Sequence, residues 1–145
     1  MPVQTRIASG LNFTGALFAT ESDKVYYQVL FGQGVGSYRE LPDAAPSAVD
    51  ALAMVGSFGW MLGWTHDWSD SFSSNFTYSE SRIENTLGQA MTDLHANNYL
   101  AVNFIWNPAD RLFAGVEYLY GTRKNISGAL AAAHRLQMSF GFYLP

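Results

Sequence analysis

Apolar and polar residues alternate with a period of two along most of this chain. Within residues 111–123, Leu112, Ala114, Val116, Tyr118 and Tyr120 share one face, and Gly115, Glu117, Gly121 and Arg123 share the other. Residues 99–107 place Leu100, Val102, Phe104 and Trp106 together, opposite Ala101, Asn103 and Asn107. The last segment sets Leu136, Met138, Phe140, Phe142 and Leu144 against Arg135, Gln137, Ser139, Gly141 and Tyr143. Noisier versions occupy 7–18, 25–38, 58–68 and 72–83. The pattern predicts about seven strands of roughly 10 to 14 residues, about twice the length usual in globular sheets. A helix is excluded because the apolar positions do not recur at three and four.

The predicted connections alternate in length. Residues 21–24, 69–71 and 107–110 are short and rich in Asp, Asn, Ser or Pro, as tight turns require, whereas 39–56, 84–96 and 124–131 are longer. Within the first long loop, 46–54 has the character of a helical turn. Short turns on one side and long loops on the other are the pattern of outer-membrane barrels, whose short turns are periplasmic.

Composition strengthens the membrane reading. The 145 residues are 48% hydrophobic and 15% aromatic but only 14% charged, against about 25% in average proteins. No apolar run reaches the roughly 20 residues of a spanning helix, so a crossing must be made with strands in a closed barrel. The absence of cysteine removes disulfide frameworks and thiolate metal sites. A net charge of -4, with Arg6, Lys24, Arg39, Arg82, Arg111, Arg123, Lys124 and Arg135 scattered, argues against nucleic acid. An odd strand count beginning on the outer side implies further strands before Met1. The fold class expected is therefore an all-β, antiparallel, up-and-down transmembrane β-barrel segment, part of a larger barrel with outer-membrane lipid around it.

The same alternation describes a soluble lipocalin-like barrel with its apolar face inward. Against that stand the small residues of the polar face, among them Gly10, Asn12, Thr14, Gly32, Gly34, Asn75, Thr77, Gly115 and Gly141, where a solvated surface uses Lys and Glu. Aromatic residues also gather near strand ends. Trp64, Trp68, Trp106 and Tyr143 are expected to form the periplasmic girdle.

The stretch 103–123, Asn-Phe-Ile-Trp-Asn-Pro-Ala-Asp-Arg-Leu-Phe-Ala-Gly-Val-Glu-Tyr-Leu-Tyr-Gly-Thr-Arg, followed by Asn125, Gly128 and His134-Arg135-Leu136-Gln137, resembles the carboxy-terminal strands of DcaP-like outer-membrane porins. The Gly32-Gln33-Gly34-Val35-Gly36 run and the aromatic strand ending at Trp64 to Trp68 are similar to the same family. The resemblance implies a homotrimeric porin of about 16 strands per subunit that passes small, including anionic, solutes such as dicarboxylates. One departure is the ending Phe142-Tyr143-Leu144-Pro145, where such barrels usually close on Phe.

Candidate chemistry follows from the lumen-facing positions. Arg6, Asn103, Glu117, Arg123, Arg135 and Gln137 fall on the polar face, where a water-filled lumen accommodates charge and charge sets selectivity. Arg123 is expected opposite or diagonal to Arg135, forming an anion-attracting constriction. No cofactor, metal site or enzymatic activity is expected. His66, His95 and His134 lack metal-ligand spacing, and His66-Asp67 reads as an interfacial pair. Asp93 with His95 in an outer loop leaves a barrel hydrolase as the enzymatic alternative, but no nucleophile elbow accompanies them.

Overall fold

The computed structural model describes residues 5–48 and 52–144. Seven long strands form one antiparallel sheet: β1 (Ser9–Phe18), β2 (Asp23–Gln33), β5 (Gly56–Ser69), β6 (Phe72–Glu84), β7 (Leu94–Ala109), β8 (Leu112–Asn125) and β9 (Leu130–Phe142). They are ordered β1-β2-β5-β6-β7-β8-β9, each strand paired with its neighbour in sequence among the long ones. The sheet is open, with β1 and β9 at its edges. In the first long connection a 3-10 helix (Gly36–Arg39) is followed by a two-stranded ribbon, β3 (Ala44–Ala45) with β4 (Ala53–Met54). Of 46–54, where a helical turn was expected, residues 53 and 54 belong to that ribbon and 46–48 and 52 form neither helix nor strand; residues 49–51 lie outside the described set.

The expected strands are all present, with shifted ends. β2 stops at Gln33 rather than running to residue 38, because Gly34 adopts φ +69 and a Cβ there would strike Met54. β7 begins at Leu94 and continues to Ala109, absorbing residues assigned to both flanking connections. Register irregularities occur between Asp67 and Ser69, between Leu94 and Ala96, and between Trp106 and Ala109, all close to strand ends.

The pairing fixes which residues share a face. Val102, Tyr118 and Leu136 lie in one transverse row, and Phe104, Val116 and Met138 in the next. This apolar face is exposed: Leu136 is 69%, Met138 77% and Phe140 91% accessible. On the inner strands Phe76, Phe104 and Tyr118 of this face are 40–44% accessible, where a lipocalin-like barrel with a greasy interior would cover them. Along β8 the outward apolar run from Leu112 to Tyr120 covers about 20–25 Å of height at a strand tilt near 40°, the thickness of an outer-membrane hydrocarbon band.

The opposite, polar face is the covered one. Leu41, Ala45 and Val55 of the first long connection pack on Ile83 of β6, with Leu94 beside them. Val55 is fully buried and Ile83 nearly so. A small apolar cluster thus fastens a loop to the polar side of the wall. Six residues further along β6 on the same face, Tyr26 lies over Gly63, where a Cβ would meet its ring, and reaches Thr77 two strands away at 2.6 Å.

The two faces predict opposite responses to charge. In lipid vesicles Met138→Arg is expected to destabilise the full-length protein by about 2–4 kcal/mol, whereas Ser139→Arg, one residue along on the polar face, costs little. Denaturant titration of both variants decides; equal losses would contradict the assignment of faces.

Candidate functional site: the polar face of the wall

Pairing places one polar residue of each successive strand in a single transverse row: Thr65, Asn75, Asn103, Glu117 and Gln137. The Thr65 hydroxyl pairs with Asn75 Oδ1 at 2.6 Å, Asn75 Nδ2 donates to Asn103 Oδ1 at 2.7 Å, and Asn103 Nδ2 donates to Glu117 Oε1 at 3.3 Å. From the other side Gln137 Nε2 donates to Glu117 Oε2. Five strands are therefore laced across their polar face, and the donors point inward on one carboxylate. Asn103, Glu117 and Gln137, singled out from sequence, come together here; Asn75 and Thr65 complete the row.

The arginines are distributed differently from expectation. Arg123 sits opposite Ala131 and Arg135 opposite Leu119, so the two are four residues apart along the β8–β9 ladder, about 13 Å, and neither opposite nor diagonal. Arg123 donates to Asn125 Oδ1 at 3.0 Å and to the Thr92 carbonyl at 3.3 Å, near the long-loop end of the wall. Arg6 precedes β1, so strand alternation assigns it no face.

The residue that sequence reading missed is Arg39. It was assigned to an outer loop, yet the 3-10 helix carries it back onto the polar face. Its Nη1 donates to Gln28 Oε1 at 2.9 Å, its Nη2 to the Trp60 carbonyl at 3.1 Å, and its Nε to Ser81 Oγ at 3.4 Å. Gly59 leaves the room: a Cβ there would stand 3.1 Å from Arg39 Nε. Gln28 in turn accepts this bond while donating to Asn12 Oδ1 at 3.2 Å. Burial lowers the Arg39 pKa below the usual guanidinium value, with Glu40 opposing, and the group stays cationic at neutral pH. The apolar residues Leu41, Ala44, Ala45 and Val55 around it were the available signal, since a solvated loop has no use for them.

Arg39 and Arg123 line one cavity of about 810 Å³, together with Ser79, Ser81, Asn97 and Tyr99. Tyr99 projects from the polar face of β7, paired with Gly121, and Glu40 lines the same cavity. The bay thus presents two guanidinium groups and one carboxylate, with hydroxyls and amides, to whatever occupies it.

Of the girdle residues, Trp64, Trp68 and Trp106 stand exposed on the apolar face toward the short turns. Trp64 Nε1 donates to Asp23 Oδ1 at 2.9 Å and Trp68 Nε1 to Ser74 Oγ at 3.0 Å. Tyr143 does not join them. It follows β9 on the alternate face and packs on Phe113, ring centroids 5.9 Å apart. His66 pairs with Asp23 at 2.7 Å rather than with Asp67. His95 Nδ1 lies 2.6 Å from Asn85 Oδ1, while Asp93 accepts the Ala90 amide, so the two are not assembled into an acid–base pair. No group of three or more potential metal ligands occurs among the described residues.

An open antiparallel wall with long strands, one lipophilic face and one hydrogen-bonded polar face is the architecture of a transmembrane β-barrel segment. The crystal structure of the outer membrane channel DcaP of Acinetobacter baumannii superposes on it with a TM-score of 0.79 at 18% sequence identity. The match covers 92% of this chain and 40% of that one, so this chain spans well under half the length of that channel. The DcaP-like fold expected from the sequence is what the structure has. No protein-family model matches the chain, and no curated protein matches it significantly.

Loss of the Arg39 contacts should release the loop. Each hydrogen bond to a charged group contributes about 1.5–3 kcal/mol, so Arg39→Met is expected to accelerate exchange of the loop amides about tenfold or more. The amides of Leu41 and Val55, bonded to the Gly36 and Asp43 carbonyls at 3.0 Å each, are the reporters in hydrogen–deuterium exchange. Unchanged protection would show that the apolar cluster alone holds the loop.

Proposed function

We propose that this chain is part of the wall of an outer-membrane diffusion channel and that the polar face lines its lumen. The carrying observation is the loop fastened onto that face by Arg39, which brings Arg39 and Arg123 to one cavity on it. Two unpaired edges, β1 and β9, support a larger closed barrel, because hydrocarbon leaves no partner for their backbone groups. The structural likeness to an outer-membrane channel supports the same location and a non-enzymatic role. Assembly as a homotrimer remains part of the proposal, as the family resemblance implies.

The solute class proposed is small and anionic, dicarboxylates included. Two arginines in one bay present planar forks that match carboxylates, and a water-filled site makes their charge usable. Glu117 works in the opposite direction, but both its oxygens accept amide donors, which spreads its charge along the row. Arg135, on the β9 position diagonal to Glu117, adds a further cation to this face. Local sign at the narrowing decides permeation more than the net charge of -4 does.

Reversal potentials of the full-length pore under a salt gradient test this. Arg39→Ala combined with Arg123→Ala is expected to move selectivity toward cations, and Glu117→Gln toward anions. Unchanged selectivity in both would leave these residues as structural members of the wall.

A further inference from the structure

We propose that a cleft on the outward face of the wall, at the outer ends of β5 to β8, binds the phosphate-bearing headgroup of a membrane lipid. Three transverse rows define its position. Leu62, Tyr78, Leu100 and Tyr120 form the last largely apolar row before the outer rim. The next holds Trp60, Glu80, Asn98 and Thr122, and the one beyond it Phe58, Arg82, Ala96, Lys124 and Leu130. Each row is about 7 Å beyond the last, so Arg82 and Lys124 stand at headgroup level, just past a belt of Tyr and Trp that marks the hydrocarbon boundary.

Arg82 and Lys124 are separated by Ala96, whose small side chain leaves a gap between two cations roughly 10 Å apart across two strand spacings. That gap is a cleft of about 340 Å³, floored by Asn98 and Thr122 and flanked by Phe58 and Leu130. The Arg82 guanidinium stacks on the Phe58 ring, 5.2 Å from its centroid. Thr122 donates to Asn98 Oδ1 at 2.7 Å.

The acidic residue of the cleft is already engaged. Glu80 accepts the Tyr78 hydroxyl at 2.6 Å and Trp60 Nε1 at 3.3 Å, which hold it toward the aromatic belt. Glu84 lies over Gly56, in the next row. Among the described residues neither Arg82 nor Lys124 has a carboxylate within ion-pair distance. Two outward cations at headgroup level, with apolar side chains on both flanks, complement an anionic lipid: phosphate between the cations, acyl chains down the apolar face.

The inference rests on the membrane orientation proposed above, and native mass spectrometry of the detergent-extracted full-length protein tests it separately. The probes are lipid A, its dephosphorylated counterpart and inorganic phosphate. Arg82→Ala with Lys124→Ala is expected to lower retained lipid A on the order of ten- to thirtyfold. The dephosphorylated lipid should bind weakly and equally to both proteins, and Ser139→Ala, on the other face, should leave lipid A retention unaltered. Lys124→Ala alone, near a strand end, guards against misfolding and should lower retention about fivefold. Equal retention in all variants overturns the proposal, as does displacement of the lipid by inorganic phosphate. A changed number of subunits with lipid retention unaltered also overturns it and makes this face a contact between copies. Failure to fractionate with outer membranes would instead count against the orientation itself.

Discussion

The backbone hydrogen bond is the interaction on which everything else in this wall depends. A sheet facing hydrocarbon has no water to satisfy an unpaired amide, so each strand must be paired along its length wherever lipid touches it. The registers from β1 to β9 meet that demand for every strand between the two edges. They relieve the side chains of most stabilising duty, which is why buried apolar residues are so few and why the small cluster of Leu41, Ala45, Val55 and Ile83 fastens a loop rather than forming a domain core.

Strand pairing was legible in the sequence because it requires only alternation, and alternation is visible without knowing the partner. The assignment of faces followed for Leu112 to Arg123 and for Leu136 to Gly141. Strand ends were less legible. β7 extends well beyond residues 99–107 because Asn97, Asn98 and His95, polar and loop-like in composition, pair with β6 or β8 or bond to Asn85. Register between neighbouring strands was less visible still. An eight-residue connection over 124–131 suggested that Arg123 and Arg135 meet, yet the strands pair as far as Lys124 and Leu130 and the turn at 126–129 sets the two arginines four positions apart. Arg39 was hidden for a different reason, since its contacts with Gln28, Ser81 and the Trp60 carbonyl come from three separate strands.

The polar face joins two kinds of order. The row from Thr65 to Gln137 is built by register alone, so its members meet as a consequence of strand pairing. The bay between Arg39 and Arg123 is built by a loop returning to the wall, and its geometry depends on one 3-10 helix and one glycine at position 59. The first is as rigid as the sheet, whereas the second can differ between relatives through loop length and sequence without disturbing the strands.

The three register irregularities have an evolutionary consequence. A strand whose two faces meet lipid and water has, in effect, a reading frame of two residues: inserting or deleting one exchanges every side chain beyond that point between solvents. At Asp67/Ser69, Leu94/Ala96 and Trp106/Ala109 such an extra residue has been absorbed, and each lies where the strand nears a turn or loop. Single-residue length changes should therefore accumulate at the rims of this wall, while inside the lipid-facing band only paired changes preserve the frame.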